Sequence, residues 1–164
     1  AALSRLVDLP WQFILLGTGD ETLEATARSL AAAHPERVRS VQRFDPAISR
    51  RLYGGSDILI VPSRYEPCGL SQLMAMRYGS IPVVRATGGL RDTVAPYADG
   101  RGTGFVFGPP QSEALESALR QALALHRDPP AWQALQVRAM AQDYGWGRSA
   151  GAYRDFYRRT AQVQ

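Results

Sequence analysis

The sequence contains no lysine and no asparagine, and all 19 of its basic residues are arginine. Without an ε-amine, this chain cannot hold a Walker-type phosphate loop, a Schiff-base lysine or a lysine general base. A single cysteine, Cys68, excludes an internal disulfide and a cysteine-rich metal site. The only histidines, His34 and His126, lie far apart and the carboxylates are scattered, so no metal-ligand spacing is present and no metal is expected. No apolar run approaches the roughly 18 residues of a membrane span, and we find no charged-then-apolar leader. The expectation is a soluble, cytoplasmic chain with no membrane partner.

What is present fits one domain over residues 1–164. Hydrophobic residues make up 45% and charged residues 21%, an ordinary globular profile. A chain of this size buries roughly 70% of its unfolded surface, enough for a core. The net charge of +4 is mild and the arginines are dispersed. Their densest groups, Arg50 with Arg51 and Arg154 with Arg158 and Arg159, fall on expected helix faces. A nucleic-acid module needs a basic stripe interleaved with aromatic platforms. No such stripe exists, so no nucleic-acid partner is expected. Arginine-only usage beside abundant alanine and glycine fits a GC-rich genome.

Short apolar runs alternate with helical periodicity. Strands are expected over 12–16, 38–41, 57–62, 81–84 and 103–107. Between them, helices are expected from Asp20, as a cap, to about His34, over 47–53, and over 69–78. Leu23, Ala27, Leu30 and Ala31 give the first helix an apolar face. After Pro109 and Pro110 come a helix behind a Ser112 cap and two more, over 132–141 and 147–159. The aromatics Trp146, Tyr153, Phe156 and Tyr157 share one side of the last, as core or domain-interface residues do. Continuous apolar strands alternating with helices indicate a Rossmann-like, doubly wound parallel α/β sheet. Ligands of such sheets lie beyond the carboxyl ends of the strands. That rule singles out 17–20, 44–45, 63–71 and 85–90.

Within those segments, Gly69 permits close backbone approach, and the amides of Gly69, Leu70 and Ser71 stand free at a helix start, where they attract phosphate or sugar hydroxyls. Glu66 sits in the same loop, either accepting sugar hydroxyls or capping the helix; spacing leaves both open. Cys68 beside a helix start has the setting of a lowered thiol pKa, but with no histidine expected nearby it is not read as a nucleophile. Thr87-Gly88-Gly89-Leu90 forms a second turn whose paired glycines can cradle an anion. Gly17-Thr18-Gly19 lacks the third glycine and the ribose-binding acid of a dinucleotide fingerprint, which rejects a nicotinamide site. Phe44, at a strand end, either stacks on a nucleobase or anchors the loop.

The stretch Pro62-Ser63-Arg64-Tyr65-Glu66-Pro67-Cys68-Gly69-Leu70, the helix to Arg77-Tyr78-Gly79, Pro82-Val83-Val84-Arg85 and Thr87-Gly88-Gly89-Leu90-Arg91-Asp92-Thr93-Val94 closely resemble bacterial glycogen synthase and plant starch synthase. Gly54-Gly55-Ser56-Asp57 and Gly104-Phe105-Val106-Phe107 fit the same pattern, and the resemblance runs from about Phe13 to Tyr157. It implies most of the C-terminal, donor-binding domain of a GT-B retaining glucosyltransferase, transferring glucose from ADP-glucose to the non-reducing end of an α-1,4-glucan. By that resemblance Glu66 is the catalytic carboxylate beside the donor glucose. Cys68, Gly69 and Leu70 hold the glucose and distal phosphate, Ser71 lies near the phosphates, and Thr87, Gly88 and Gly89 form the donor-side turn. Phe44 takes the place of a Tyr that stacks on adenine, keeping the ring without the hydroxyl.

Met74 stands where related transferases carry a ribose-binding Glu, which favours the glycogen and starch synthase subgroup. The resemblance further implies that the domain's first strand, its Arg…Lys-Gly turn and the N-terminal acceptor domain lie outside this chain, so that transfer requires the full-length protein. No cofactor is implied; the nucleotide-sugar donor and the glucan acceptor are the partners. UDP-glucose as donor, and a non-catalytic nucleotide-sugar-binding module, are the alternatives.

Overall fold

The computed structural model describes residues 2–161. Five strands and seven helices alternate through it: β1 (Phe13–Leu16), α1 (Glu21–Ala33), β2 (Val38–Val41), α2 (Pro46–Gly55), β3 (Ile58–Val61), α3 (Ser71–Tyr78), β4 (Ile81–Arg85), α4 (Gly88–Thr93), β5 (Phe105–Phe107), α5 (Ser112–His126), α6 (Pro129–Met140) and α7 (Trp146–Ala161). A 3-10 turn over Leu3–Arg5 precedes β1.

Every pairing between these strands is parallel, as the apolar runs imply. The strands form two sheets, β1-β2 and β3-β4-β5, rather than one continuous sheet. β4 lies in the middle of the larger one, its Ile81, Pro82, Val83 and Val84 all buried. α3, α5 and α6 pack about this sheet and each other. Met76, Leu90, Val94, Phe105, Leu119, Trp132 and Leu135 complete the core, and Leu6 reaches it from the N-terminal segment. That segment is tied to α5 by Arg5 to Glu113 at 2.7 Å and by Arg120 to Asp8 at 3.0 Å. Arg120 also donates to the carbonyl of Arg5 at 2.6 Å.

The smaller sheet is less covered. Ile14 of β1 is 48% exposed, and α1 buries no residue fully. Its apolar stripe is therefore only partly used: Ala27, Leu30 and Ala31 are half-buried while Leu23 faces outward. The outer edges of β1 and β3 carry no strand partner among the described residues.

Local chemistry explains most element ends. Asp20 caps α1 as expected, accepting from Thr22 N–H and Leu23 N–H at 2.9 and 3.1 Å. α3 begins at Ser71, two residues later than the periodicity indicates, because Gly69 has φ 72° and cannot be helical. Gln111, not Ser112, holds the cap position of α5; the Ser112 hydroxyl turns to Glu113 instead. α6 starts earlier than expected, at Pro129, since Asp128 caps it through Ala131 N–H and prolines suit a first turn. β5 begins at Phe105 because the Thr103 hydroxyl accepts from Ala95 N–H at 3.0 Å, holding that end in the loop. α7 leaves its aromatics outward, with Trp146 83% exposed, so they are not core among the described residues.

Candidate functional site

β3 and β4 pair in parallel, with Ile58 opposite Ile81 and Val61 opposite Val84, so their carboxyl ends lie side by side. The chain leaving β3 runs through Pro62 to Leu70 into α3; the chain leaving β4 turns at Thr87 into α4. These two connections touch through their backbones. Gly89 N–H donates to the Glu66 carbonyl at 3.1 Å. A Cβ on Gly88 would collide with the carbonyl oxygen of Glu66, and one on Gly89 with that of Cys68. Only glycine fits at either position, and Gly88 also has φ 42°.

Leu70 occupies the cap position of α3, and no side chain caps that helix. Among the described residues, the amides of Cys68, Gly69, Leu70 and Ser71 donate no hydrogen bond within the protein. The start of α3 therefore presents open donors at its partially positive end. Cys68 and Leu70 are exposed, Gly69 and Ser71 half-buried. Thr87, likewise without a side-chain cap bond, accepts from Leu90 N–H at 3.1 Å.

Glu66 is half-buried in this loop, and the Ser63 hydroxyl donates to its Oε2 at 3.5 Å. Of the two readings of that carboxylate, helix capping is excluded, since α3 has no side-chain cap. Two residues to which sequence reasoning gave no role hold the assembly. Arg85, the last residue of β4, donates from Nε to the Ser63 carbonyl at 2.7 Å and from Nη2 to the Arg64 carbonyl. It fixes the outgoing loop and is thereby committed to backbone. Gln72, in the first turn of α3, is completely buried beneath both turns. A polar side chain on the inward face of a helix was the available signal.

The structure thus unites Glu66, Cys68, Gly69, Leu70, Ser71, Thr87, Gly88 and Gly89 at the carboxyl edge of one sheet. Phe44 stands apart from them, beyond β2 on the smaller sheet. It is 88% exposed, which overturns the loop-anchor reading and leaves an open ring face. Its neighbour Asp45 caps α2 through Ala47 N–H and Ile48 N–H at 3.1 and 3.0 Å and pairs with Arg43. The Ile48 amide bond, then the Arg43 guanidinium, hold the Asp45 carboxyl below its ordinary pKa.

Paired glycine turns at parallel strand ends and an uncapped helix start thus stand together, with Glu66 in the same loop. Residues 1–134 match the family described as glycosyl transferases group 1. The chain belongs to that family. Among the group 1 glycosyl transferases it is similar to the glycogen synthase of Anaeromyxobacter sp. (strain Fw109-5), with 47% identity over 163 residues, 98% of this chain and 34% of that protein. It is equally similar to the glycogen synthase of Thioalkalivibrio sulfidiphilus (strain HL-EbGR7), with 47% identity over 152 residues, 90% of this chain and 32% of that one. The solved catalytic domain of starch synthase IV from Arabidopsis thaliana, bound to ADP and acarbose, superposes with a TM-score of 0.84 at 32% identity, over 98% of this chain and 34% of that one. Sucrose-phosphate synthase from Thermosynechococcus elongatus superposes at 0.70 with 26% identity, over 99% of this chain and 41% of that one. The chain spans about a third of the length of the curated relatives it matches. The parallel α/β architecture is that of one half of a GT-B glycosyltransferase.

Proposed function

We propose that this chain is the donor-binding part of a retaining glucosyltransferase that extends an α-1,4-glucan at its non-reducing end from ADP-glucose, active in the full-length protein. The observation that carries the reading is the pair of interlocked turns, with Glu66 and the unpaired amides at the start of α3 in one loop. The likeness to glycogen synthases supports a glucan product. A structural relative bound to ADP supports ADP-glucose over UDP-glucose.

In this reading Glu66 accepts donor glucose hydroxyls and stabilises positive charge developing at the anomeric carbon. The amides of Cys68, Gly69 and Leu70 hold the glucose and distal phosphate, with Ser71 near the phosphates and Thr87, Gly88 and Gly89 closing the donor side. Phe44 stacks on adenine through its exposed ring. As the anomeric carbon–oxygen bond breaks, its electron pair moves to the departing phosphate oxygen. The acceptor hydroxyl adds on the same face and its proton passes to that phosphate. Preorganised amides stabilise the leaving charge without reorganising.

No lysine is available for this, and Arg85 is bound to carbonyls of the loop. In this reading the neutralising cations, like the acceptor site, belong to other parts of the full-length enzyme. The unpaired edges of β1 and β3 support one further parallel strand of the domain completing the sheet. ADP-glucose is a substrate, and the reading calls for no metal or cofactor. It places the enzyme in the cytoplasm with no membrane partner; no helix among the described residues is long and apolar enough to cross a membrane.

Calorimetry on the full-length protein and its Glu66→Ala variant tests the assignment. ADP-glucose should bind more tightly than UDP-glucose, and the substitution should weaken ADP-glucose while sparing ADP. Turnover should fall by about two orders of magnitude, the scale of losing one preorganised electrostatic group. Donor binding indifferent to Glu66, without transfer by the wild type, would indicate a non-catalytic module instead.

A further inference from the structure

Gln72 is fully buried, yet its amide meets the backbone of one turn and the side chain that anchors the other. Its Nε2 donates to the carbonyls of Cys68 at 3.2 Å and Gly69 at 3.0 Å, and to the Thr93 hydroxyl at 3.1 Å. The Thr93 hydroxyl in turn donates to the Gly89 carbonyl at 2.5 Å. All three partners of Nε2 act as acceptors, which fixes the orientation of the amide. Gln72 Oε1 then has no hydrogen-bond partner among the described residues, and it lies 2.6 Å from where a Cβ on Gly69 would stand. A buried acceptor left open is costly and calls for an explanation beyond packing.

The consequence is mechanical. The loop through Cys68 and Gly69 and the Gly88–Gly89 turn are joined directly by Gly89 N–H to the Glu66 carbonyl and indirectly by the chain Gln72–Thr93–Gly89. Two separate links resist both sliding and splaying, where one would act as a hinge. Because the carbonyls of Cys68 and Gly69 are drawn inward to Gln72, their peptide planes are held from beneath. The open amides of the same loop depend on those planes for their direction.

We propose that Gln72 and Thr93 are positioning residues that set the spacing and peptide orientation of the two donor-binding turns. Neither side chain is assigned a contact with the donor. The inference rests on the nucleotide-sugar reading of this site and deepens it.

The test compares Thr93→Val, Thr93→Ser and Gln72→Met in the full-length protein, by steady-state kinetics with donor and glucan varied separately and by thermal melting. Thr93→Val keeps the shape and removes the bridging hydroxyl, so donor KM should rise roughly fivefold, about the scale of one net hydrogen bond. Acceptor KM should stay unchanged, and Thr93→Ser should restore donor KM. Gln72→Met, which removes all three bonds of the Gln72 amide at similar volume, should raise donor KM further. Should Gln72→Met fail to fold, the Thr93 pair decides alone. A structural role only would lower the melting temperature and leave donor KM within twofold of wild type, and that result overturns the proposal. A wild-type protein that binds no nucleotide sugar overturns the functional reading and the strut together. Wild-type binding with unaltered variants overturns the strut alone.

Discussion

Where the two turns meet, the unit of tolerance is a single methyl group. Gly89 has an ordinary negative φ, so alanine would suit its backbone, but the added Cβ would run into the carbonyl and Cα of Cys68. Neither atom belongs to a flexible side chain, so the turns themselves must separate. Gly55, at the end of α2, has nothing within reach of a Cβ. Gly89→Ala is therefore expected to lower stability by about 1–3 kcal/mol, the usual cost of overpacking, and to weaken donor binding with it. Gly55→Ala should do neither. Melting curves and donor titrations of both variants check this; equal behaviour would show that the turns are not in contact. Gly69 differs again. Its φ of 72° and the proximity of Gln72 Oε1 both oppose a side chain, and Gln72 is too buried and too bonded to move aside. The sequence makes Gly69, Gly88 and Gly89 visible as turn residues, but which backbone atom each admits is a tertiary fact. The bond between Gln72 and Thr93 was invisible for the same reason: the two lie in different segments, 21 residues apart.

At the scale of the element, α2 is set by its first residue pair. Asp45 accepts two helix amides and the Arg43 guanidinium, so its folded pKa lies below the unfolded one. A carboxyl depressed on folding contributes stability that is complete above its unfolded pKa and is lost as pH falls through the folded value. Asp8 behaves alike through its hydrogen bonds with Arg120, and Glu113 through its own backbone amide, then Arg5. The melting temperature should thus decline on acidification below about pH 4, the ordinary carboxylate range. Asp45→Asn retains a capping oxygen but not the charge, so it should flatten this acid limb by lowering the melting temperature near neutrality while leaving it little changed at acid pH. Thermal melts from neutral to acid pH measure it, and an unaltered slope would remove Asp45 from the account. The cap also matters for position, because it fixes the chain directly after Phe44. The start of α1 was legible in this way, since a cap is local: Asp20 does what its position indicates. Ser112 does not, because Glu113 competes for its hydroxyl.

The whole molecule divides along its sheets. β3-β4-β5 and its helices hold the core and the interlocked turns, while β1-β2 with α1 carry Phe44 and remain partly uncovered. Alternation of apolar runs and helices established the parallel α/β class from sequence. It could not reveal the division, since which strand edges meet depends on contacts between distant segments. The same holds for α7: helical spacing aligned Trp146, Tyr153, Phe156 and Tyr157, but only the folded chain shows them facing outward.

The central claim is that the turns at Glu66–Ser71 and Thr87–Gly89 serve transfer of glucose from ADP-glucose to glucan. Incubating the full-length protein with glucose-labelled ADP-glucose and glycogen, then digesting the product with an α-1,4-specific exo-glucanase, measures it directly. The account predicts label in the polymer, released by the enzyme, and its loss in Glu66→Ala. Label that fails to enter the polymer with wild-type protein, or enters equally with Glu66→Ala, would contradict it.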